Sequence, residues 1–147
     1  MEPPKLTASS IINFAEKLED DSAAFYEQLA QKFTDKEGIF LSFSEESRKN
    51  KVLVVRTYRE TITDALEACF CFETLNLNNY KINTELAENA SLSDAVKVAN
   101  QLEENASRFY SDVAEQCKSL LATIPMAFQR VSEKRKARKQ ILESLIP

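Results

Sequence analysis

Apolar side chains return every three or four residues along four separate stretches of the chain, the spacing of helices that each bury one face. In the first stretch Ile11, Ala15, Leu18, Ser22, Phe25 and Leu29 fall in line, which predicts a helix from an N-cap at Thr7 to about Phe33. Thr34-Asp35-Lys36-Glu37 has the form of a capping box and predicts that a second helix starts there and runs to about Glu67. Its inward face holds Phe40, Phe43, Ser47, Asn50, Val54 and Thr57. Ser91-Leu92-Ser93-Asp94 supplies the next N-cap, for a third helix that reaches about Leu121 with Val96, Ala99, Leu102, Ala106, Phe109 and Val113 inward. Pro125 suits the first turn of a fourth helix, where its missing amide costs little. The fourth stripe reads Ile124, Phe128, Val131, Arg135, Arg138, Leu142 and Leu145.

Two of these stripes carry the wrong chemistry at their centres. Ser47 and Asn50 interrupt the second, and Arg135 and Arg138 stand in the fourth where the period asks for apolar residues. Between the second and third helices, residues 68–91 lose the period, and asparagines interleave with Leu75, Leu77, Tyr80 and Ile82. A short helix near Ala65 to Phe72 is expected at the start of this segment. A connection so long is unusual in a compact domain unless it crosses the length of the structure. It would let the third helix begin at the far end, as one-crossover bundles require. Residues 1–6 read as a loose leader.

The chain also writes one phrase twice. Leu18-Glu19 with Phe25-Tyr26 and Ala30 returns as Leu102-Glu103 with Phe109-Tyr110 and Ala114. Phe40, Ser44, Glu45 and Arg48 of the second helix are echoed by Phe128, Ser132, Glu133 and Lys136 of the fourth, which places Ser47 opposite Arg135 and Asn50 opposite Arg138 in the alignment. The two offsets differ by a few residues, a difference that a helix-helix loop absorbs. Such a repeat implies two copies of one helical hairpin.

Composition narrows the class. At 147 residues the chain is one domain long, and a single glycine and four prolines fit long helices better than the turn-rich sandwiches and barrels. With 44% hydrophobic and 29% charged residues it belongs with ordinary globular chains. A formal charge of -4 gives no positive field of the kind nucleic-acid binders use. No basic-then-apolar leader and no apolar run of about 20 residues occurs, so neither export nor membrane insertion is expected and a cytosolic location is. The basic run Arg130, Lys134, Arg135, Lys136, Arg138 and Lys139 lacks interleaved aromatics and reads as a solvated face once the inward arginines are set aside. Cys69, Cys71 and Cys117 are odd in number and sparse, which fits buried or half-buried reduced thiols; Cys-x-Cys on a helix would point its two side chains apart.

In their order, the duplicated Leu-Glu and Phe-Tyr phrases, the segment Ser44-Glu45-Glu46-Ser47-Arg48-Lys49-Asn50, the segment from Val131 to Arg138 and the central crossover resemble the rubrerythrin-like branch of the ferritin-like superfamily. The resemblance covers nearly the whole chain. It implies an all-α, ferritin-like four-helix bundle built from two hairpins, in which relatives hold two iron ions with one Glu from each of two helices and a Glu-x-x-His from each of the others. Carried onto this sequence, the lone glutamates are Glu19 and Glu103, and the two Glu-x-x-His pairs fall on Ser47 with Asn50 and on Arg135 with Arg138. Four of the six positions have changed, and the chain contains no histidine to stand in.

The charges indicate what took the metal's place. Four carboxylates with two ferrous ions sum to zero, and so do two carboxylates with two guanidinium groups. Arginine stays protonated and offers a planar fork that matches a carboxylate. We therefore expect Arg135 and Arg138 to hydrogen-bond Glu19 and Glu103 across the centre, with the hydroxyls of Tyr26 and Tyr110 finding a central carboxylate. A divalent ion about 4 Å from one guanidinium at an effective dielectric near 20 would meet roughly 8 kcal/mol of repulsion, an upper bound.

The expected function is accordingly binding or assembly without catalysis and without a cofactor, with the apolar Phe70, Phe72, Leu75 and Leu77 covering the bundle or serving a homodimer. The alternative is an oxidoreductase of the rubrerythrin type with iron or manganese in a rearranged site drawn from Glu19, Glu103 and neighbours such as Asp20 or Glu46. A carrier that holds a small ligand in the vacated centre beside Ser47 and Asn50 is a third reading.

Overall fold

A computed structural model describes residues 6–61, 71–72, 75–117 and 123–146. Four long helices make up nearly all of it: α1 (Ala8–Lys32), α2 (Glu37–Thr61), α3 (Leu92–Cys117) and α4 (Thr123–Glu143). The inward stripes read from the sequence are the ones that pack. Leu18, Phe25 and Leu29 of α1, Phe40, Phe43 and Val54 of α2, Val96, Leu102, Phe109 and Val113 of α3, and Phe128, Val131 and Leu142 of α4 are buried in one continuous core. Thr57 and Leu145, at the ends of their stripes, are only half-buried. The α1–α2 and α3–α4 hairpins have the most extensive interfaces, α2 lies against α4, and α1 meets α3. Among the described residues no helix is long and apolar enough to cross a membrane.

Local chemistry sets where the helices begin. Thr7 caps α1, its hydroxyl accepting the amide of Ser10 at 3.2 Å. Ser91 and Asp94 cap α3 reciprocally: the Asp94 amide donates to the Ser91 hydroxyl and the Ser91 amide to the Asp94 carboxylate, both at 3.1 Å. The capping box expected at Thr34 gives way to a 3-10 turn over Thr34–Lys36, and α2 starts at Glu37, whose amide donates to the Thr34 carbonyl. A tightened turn satisfies that amide through the backbone, so no side-chain pair is needed.

The connection between the hairpins departs from expectation at its start. Leu6–Thr7 (β1) and Cys71–Phe72 (β2) form a two-residue antiparallel pairing, so Leu6 is held in place rather than loose, and Cys71 and Phe72 are extended rather than helical. Pairing two extended segments satisfies backbone groups that each would otherwise present to solvent alone. The rest of the leader, the expected end of the second helix and residues 65–70 of its expected short successor, Cys69 and Phe70 among them, lie outside the described residues, as does the expected end of the third helix near Leu121. From β2, beside the start of α1, the chain reaches Glu88, whose carbonyl accepts from Lys32 Nζ at the end of α1. The connection thus travels the length of a 25-residue helix, about 37 Å. On the way it is fastened to α3: Tyr80 donates to Asp112 at 2.6 Å, Asn105 to the Lys81 carbonyl at 3.0 Å, and Arg108 to the Asn79 carbonyl at 3.0 Å. Leu75, Leu77 and Ile82 pack partly buried on the core, as a covering segment should.

Candidate functional site

Each of the four helices sends at least one ionic or strongly polar side chain into the middle of this apolar core. Glu19 and Ser22 come from α1, Ser47 and Asn50 from α2, Glu103 from α3, and Arg135 and Arg138 from α4; all are fully buried or within 1% of it. All six positions that the resemblance singles out are therefore interior, and neither arginine escapes along its stem to the surface. An isolated buried charge is prohibitive, so the partners decide whether such a cluster can exist.

Arg135 is the hub. Its Nη1 donates to Glu103 Oε1 at 2.7 Å, and its Nη2 donates to Glu19 Oε1 at 2.7 Å and to Ser22 Oγ at 2.9 Å. One planar fork thus spans two carboxylates on different hairpins. Arg138 behaves differently from expectation. It reaches Glu103 Oε1 at 3.3 Å but not Glu19, and its shorter bonds go from Nε to Glu46 Oε1 at 2.8 Å and from Nη1 to Ser47 Oγ at 3.0 Å. Glu46 sits at the edge of the core with its side chain 35% exposed, which lets it turn inward to the guanidinium while keeping contact with water. The Arg138 guanidinium also lies 5.8 Å from the Tyr26 ring centre and 5.6 Å from that of Phe43, cation–π contacts that favour a charge in an otherwise apolar wall.

The tyrosines complete the arrangement by reaching across it. Tyr26 of α1 donates to Glu103 Oε1 of α3 at 2.6 Å, and Tyr110 of α3 donates to Glu19 Oε2 of α1 at 2.8 Å. Each lies two turns along its helix from the glutamate of its own hairpin, so this reciprocity requires α1 and α3 to run antiparallel. Equivalent aromatics flank them: Phe40 stacks at 6.2 Å from Tyr26, and Phe128 meets Tyr110 edge-on at 5.4 Å. Burial pushes both phenols well above the usual tyrosine range, and the adjacent carboxylates, Glu103 for Tyr26 and Glu19 for Tyr110, push the same way. For Arg135 burial disfavours the charged form, but Glu103 and Glu19 together more than compensate and hold its pKa above the ordinary guanidinium value.

These shifts have a consequence at alkaline pH. A phenol whose pKa is higher folded than unfolded holds its proton longer in the native state, so stability is intact below about pH 10 and falls as pH rises through and beyond that value. Each such tyrosine contributes a slope of about 1.4 kcal/mol per pH unit. Urea unfolding at pH 9 to 11.5 should show this loss, and Tyr26→Phe and Tyr110→Phe should each make it shallower; an unchanged slope in both variants would contradict the burial of these hydroxyls.

Ser22 as a partner of Arg135 and Glu46 as the main partner of Arg138 are the two participants that residue patterns did not assign. Ser22 lies on the inward stripe of α1 and could have been read as a hydroxyl facing the arginines; Glu46 sits one position off the stripe of α2 and was expected near the centre only as a neighbour in the alternative metal site, not as a partner of Arg138. Asp20, named as a neighbour for an alternative metal site, turns outward to Lys51 at 2.9 and 3.0 Å. The basic residues of α4 outside the core face solvent or acidic neighbours: Lys139 bonds Glu104 at 2.6 Å and Lys136 lies 3.5 Å from Glu133. The side chains of Cys71 and Cys117 lie outside the described residues. Within those residues no three Asp, Glu, Cys or His side chains gather as a metal-holding group.

Comparison of the chain with protein-family models, with curated proteins and with solved structures finds no match. The fold and the buried cluster therefore define it as an all-helical bundle with an ionic centre.

Proposed function

We propose that this chain is a non-catalytic member of the ferritin-like superfamily, from the rubrerythrin-like branch, in which a guanidinium-carboxylate cluster has replaced two iron ions and whose role is binding or assembly. The observation that carries the reading is the fork of Arg135 held between Glu19 and Glu103 at the point where two hairpins of matching sequence meet. The crossed bonds of Tyr26 and Tyr110 support an origin by duplication, because each copy offers the other the same pair of groups. The residues present do not fit a di-iron centre: of the six ligand positions only Glu19 and Glu103 keep a carboxylate, and both oxygens of Glu19 and Oε1 of Glu103 already take N–H or O–H donors. The rearranged-site oxidoreductase has less support, since Asp20 is engaged with Lys51 and Glu46 with Arg138.

Metal analysis tests this directly. Protein purified after growth with added iron and manganese should carry far less than one ion per chain, and stoichiometric metal would restore the oxidoreductase reading. A constructive test runs the other way. The combined variant Ser47→Glu, Asn50→His, Arg135→Glu and Arg138→His rebuilds the carboxylate and imidazole set around Glu19 and Glu103, and should bind about two divalent ions per chain if these positions are the ancestral ligands. A folded variant that binds none would count against the ancestry. For assembly, sedimentation should show a homodimer at micromolar concentration, and the exposed large apolar side chains among the described residues are Leu41 and Val52 of α2 and Met126 and Ile141 of α4.

A further inference from the structure

The ionic cluster leaves a set of polar atoms that its own bonds do not use. Asn50 Nδ2 and Oδ1, Glu103 Oε2, Arg135 Nε and Arg138 Nη2 are all buried and have no partner among the described residues. They belong to adjoining residues. Arg135 and Arg138 both donate to the other oxygen of Glu103, and Ser47, one helical turn before Asn50, accepts from Arg138. Because α2 and α4 meet side by side with residue 47 level with 138, an antiparallel register places residue 50 level with 135. Asn50 is the telling member, for its carboxamide is 0% exposed and neither end is bonded. A buried amide in that condition forfeits its hydration on both sides, and native interiors rarely leave such a group unanswered.

From this geometry we infer that the centre of the bundle contains a built binding site for a small, neutral hydrogen-bonding guest of water size, and that the guest is water. The charges select the class. The carboxylates of Glu19 and Glu103 balance the guanidinium groups of Arg135 and Arg138, and Glu46 adds further negative charge at Arg138, so an anion gains no net attraction. A cation would face two guanidinium groups. The unused set supplies three donors, Asn50 Nδ2, Arg135 Nε and Arg138 Nη2, and two acceptors, Asn50 Oδ1 and Glu103 Oε2, which is what a molecule that both donates and accepts requires. Water bound in this way makes about three hydrogen bonds and behaves as part of the structure. The site stands on the contacts of this chain alone and does not depend on whether an ancestor held iron.

The experiment uses the full chain, labelled with 15N and studied by NMR. Through-space cross-peaks from a long-lived water to the side-chain amide protons of Asn50 are expected, together with an oxygen-17 relaxation dispersion that loses at least one long-lived water in Asn50→Leu. Wild-type Asn50 amide protons with no water contact would overturn the inference, as would an unchanged dispersion in a folded Asn50→Leu. Should Asn50→Leu not fold, the wild-type cross-peaks decide by themselves. Saturable shifts of the Asn50 amide resonances on titration with bromide would also overturn it, by showing that the site takes an anion.

Discussion

Glu103→Ala should lower the unfolding free energy by about 3 to 5 kcal/mol, the range measured when one partner of a buried ion pair is removed. Glu103 Oε1 collects three donors at once, from Tyr26, Arg135 and Arg138. Deleting the carboxylate leaves the Tyr26 hydroxyl without its acceptor and takes from Arg135 one of its two charge partners. Arg138 keeps Glu46 and loses only its longest contact, so most of the damage should fall at Arg135. Glu103→Gln retains an oxygen acceptor and the side-chain volume and should cost distinctly less. Thermal melts of the three proteins in one buffer check the order; a Glu103→Ala melting temperature equal to that of the parent would show that the cluster is not desolvated as the geometry requires.

Arg135→Met should be as damaging, again about 3 to 5 kcal/mol, because two buried carboxylates on different hairpins then face each other without the cation between them. The remedy follows from the bonding. Adding Glu19→Gln and Glu103→Gln to Arg135→Met removes both stranded charges while leaving Arg138 its Glu46 carboxylate, and this triple variant should recover most of the loss. That outcome is the signature of a cluster whose members are tolerable together and costly apart, since concerted removal of a buried ion group is often neutral. Equal or greater damage in the triple variant would mean that packing, and not uncompensated charge, sets the cost at Arg135. Chemical denaturation of the single and triple variants gives the comparison, and because the three residues share one network their separate effects should not add.

Much of this was visible in the residues. The four inward stripes follow from side-chain spacing alone, and because that spacing assigns Arg135 and Arg138 to the inside regardless of their charge, it pointed to a buried ionic centre. The partners were harder. Arg135 has two carboxylates within reach only because α1 and α3 present Glu19 and Glu103 at one level, a property of how hairpins dock and not of any one helix. Arg138 prefers Glu46 because a side chain at the rim can bend inward, which the helical period cannot express. The crossed bonds of Tyr26 and Tyr110 depend on an antiparallel meeting of α1 and α3. Pairing of Leu6–Thr7 with Cys71–Phe72 left no periodic trace, since two residues are too few to show an alternation and their partner is far along the chain. At Thr34 the letters of a capping box were present, but a backbone turn met the same need first.

The fork of Arg135, with one nitrogen on each hairpin, also constrains how this protein can change over generations. Loss of Arg135 leaves the buried Glu19 carboxylate with no cation, whereas loss of either glutamate leaves Arg135 one carboxylate, so a change at position 135 should be fixed together with compensating changes at 19 and 103. Descendants of this sequence should therefore tolerate change at either acidic position before they tolerate it at the basic one between them.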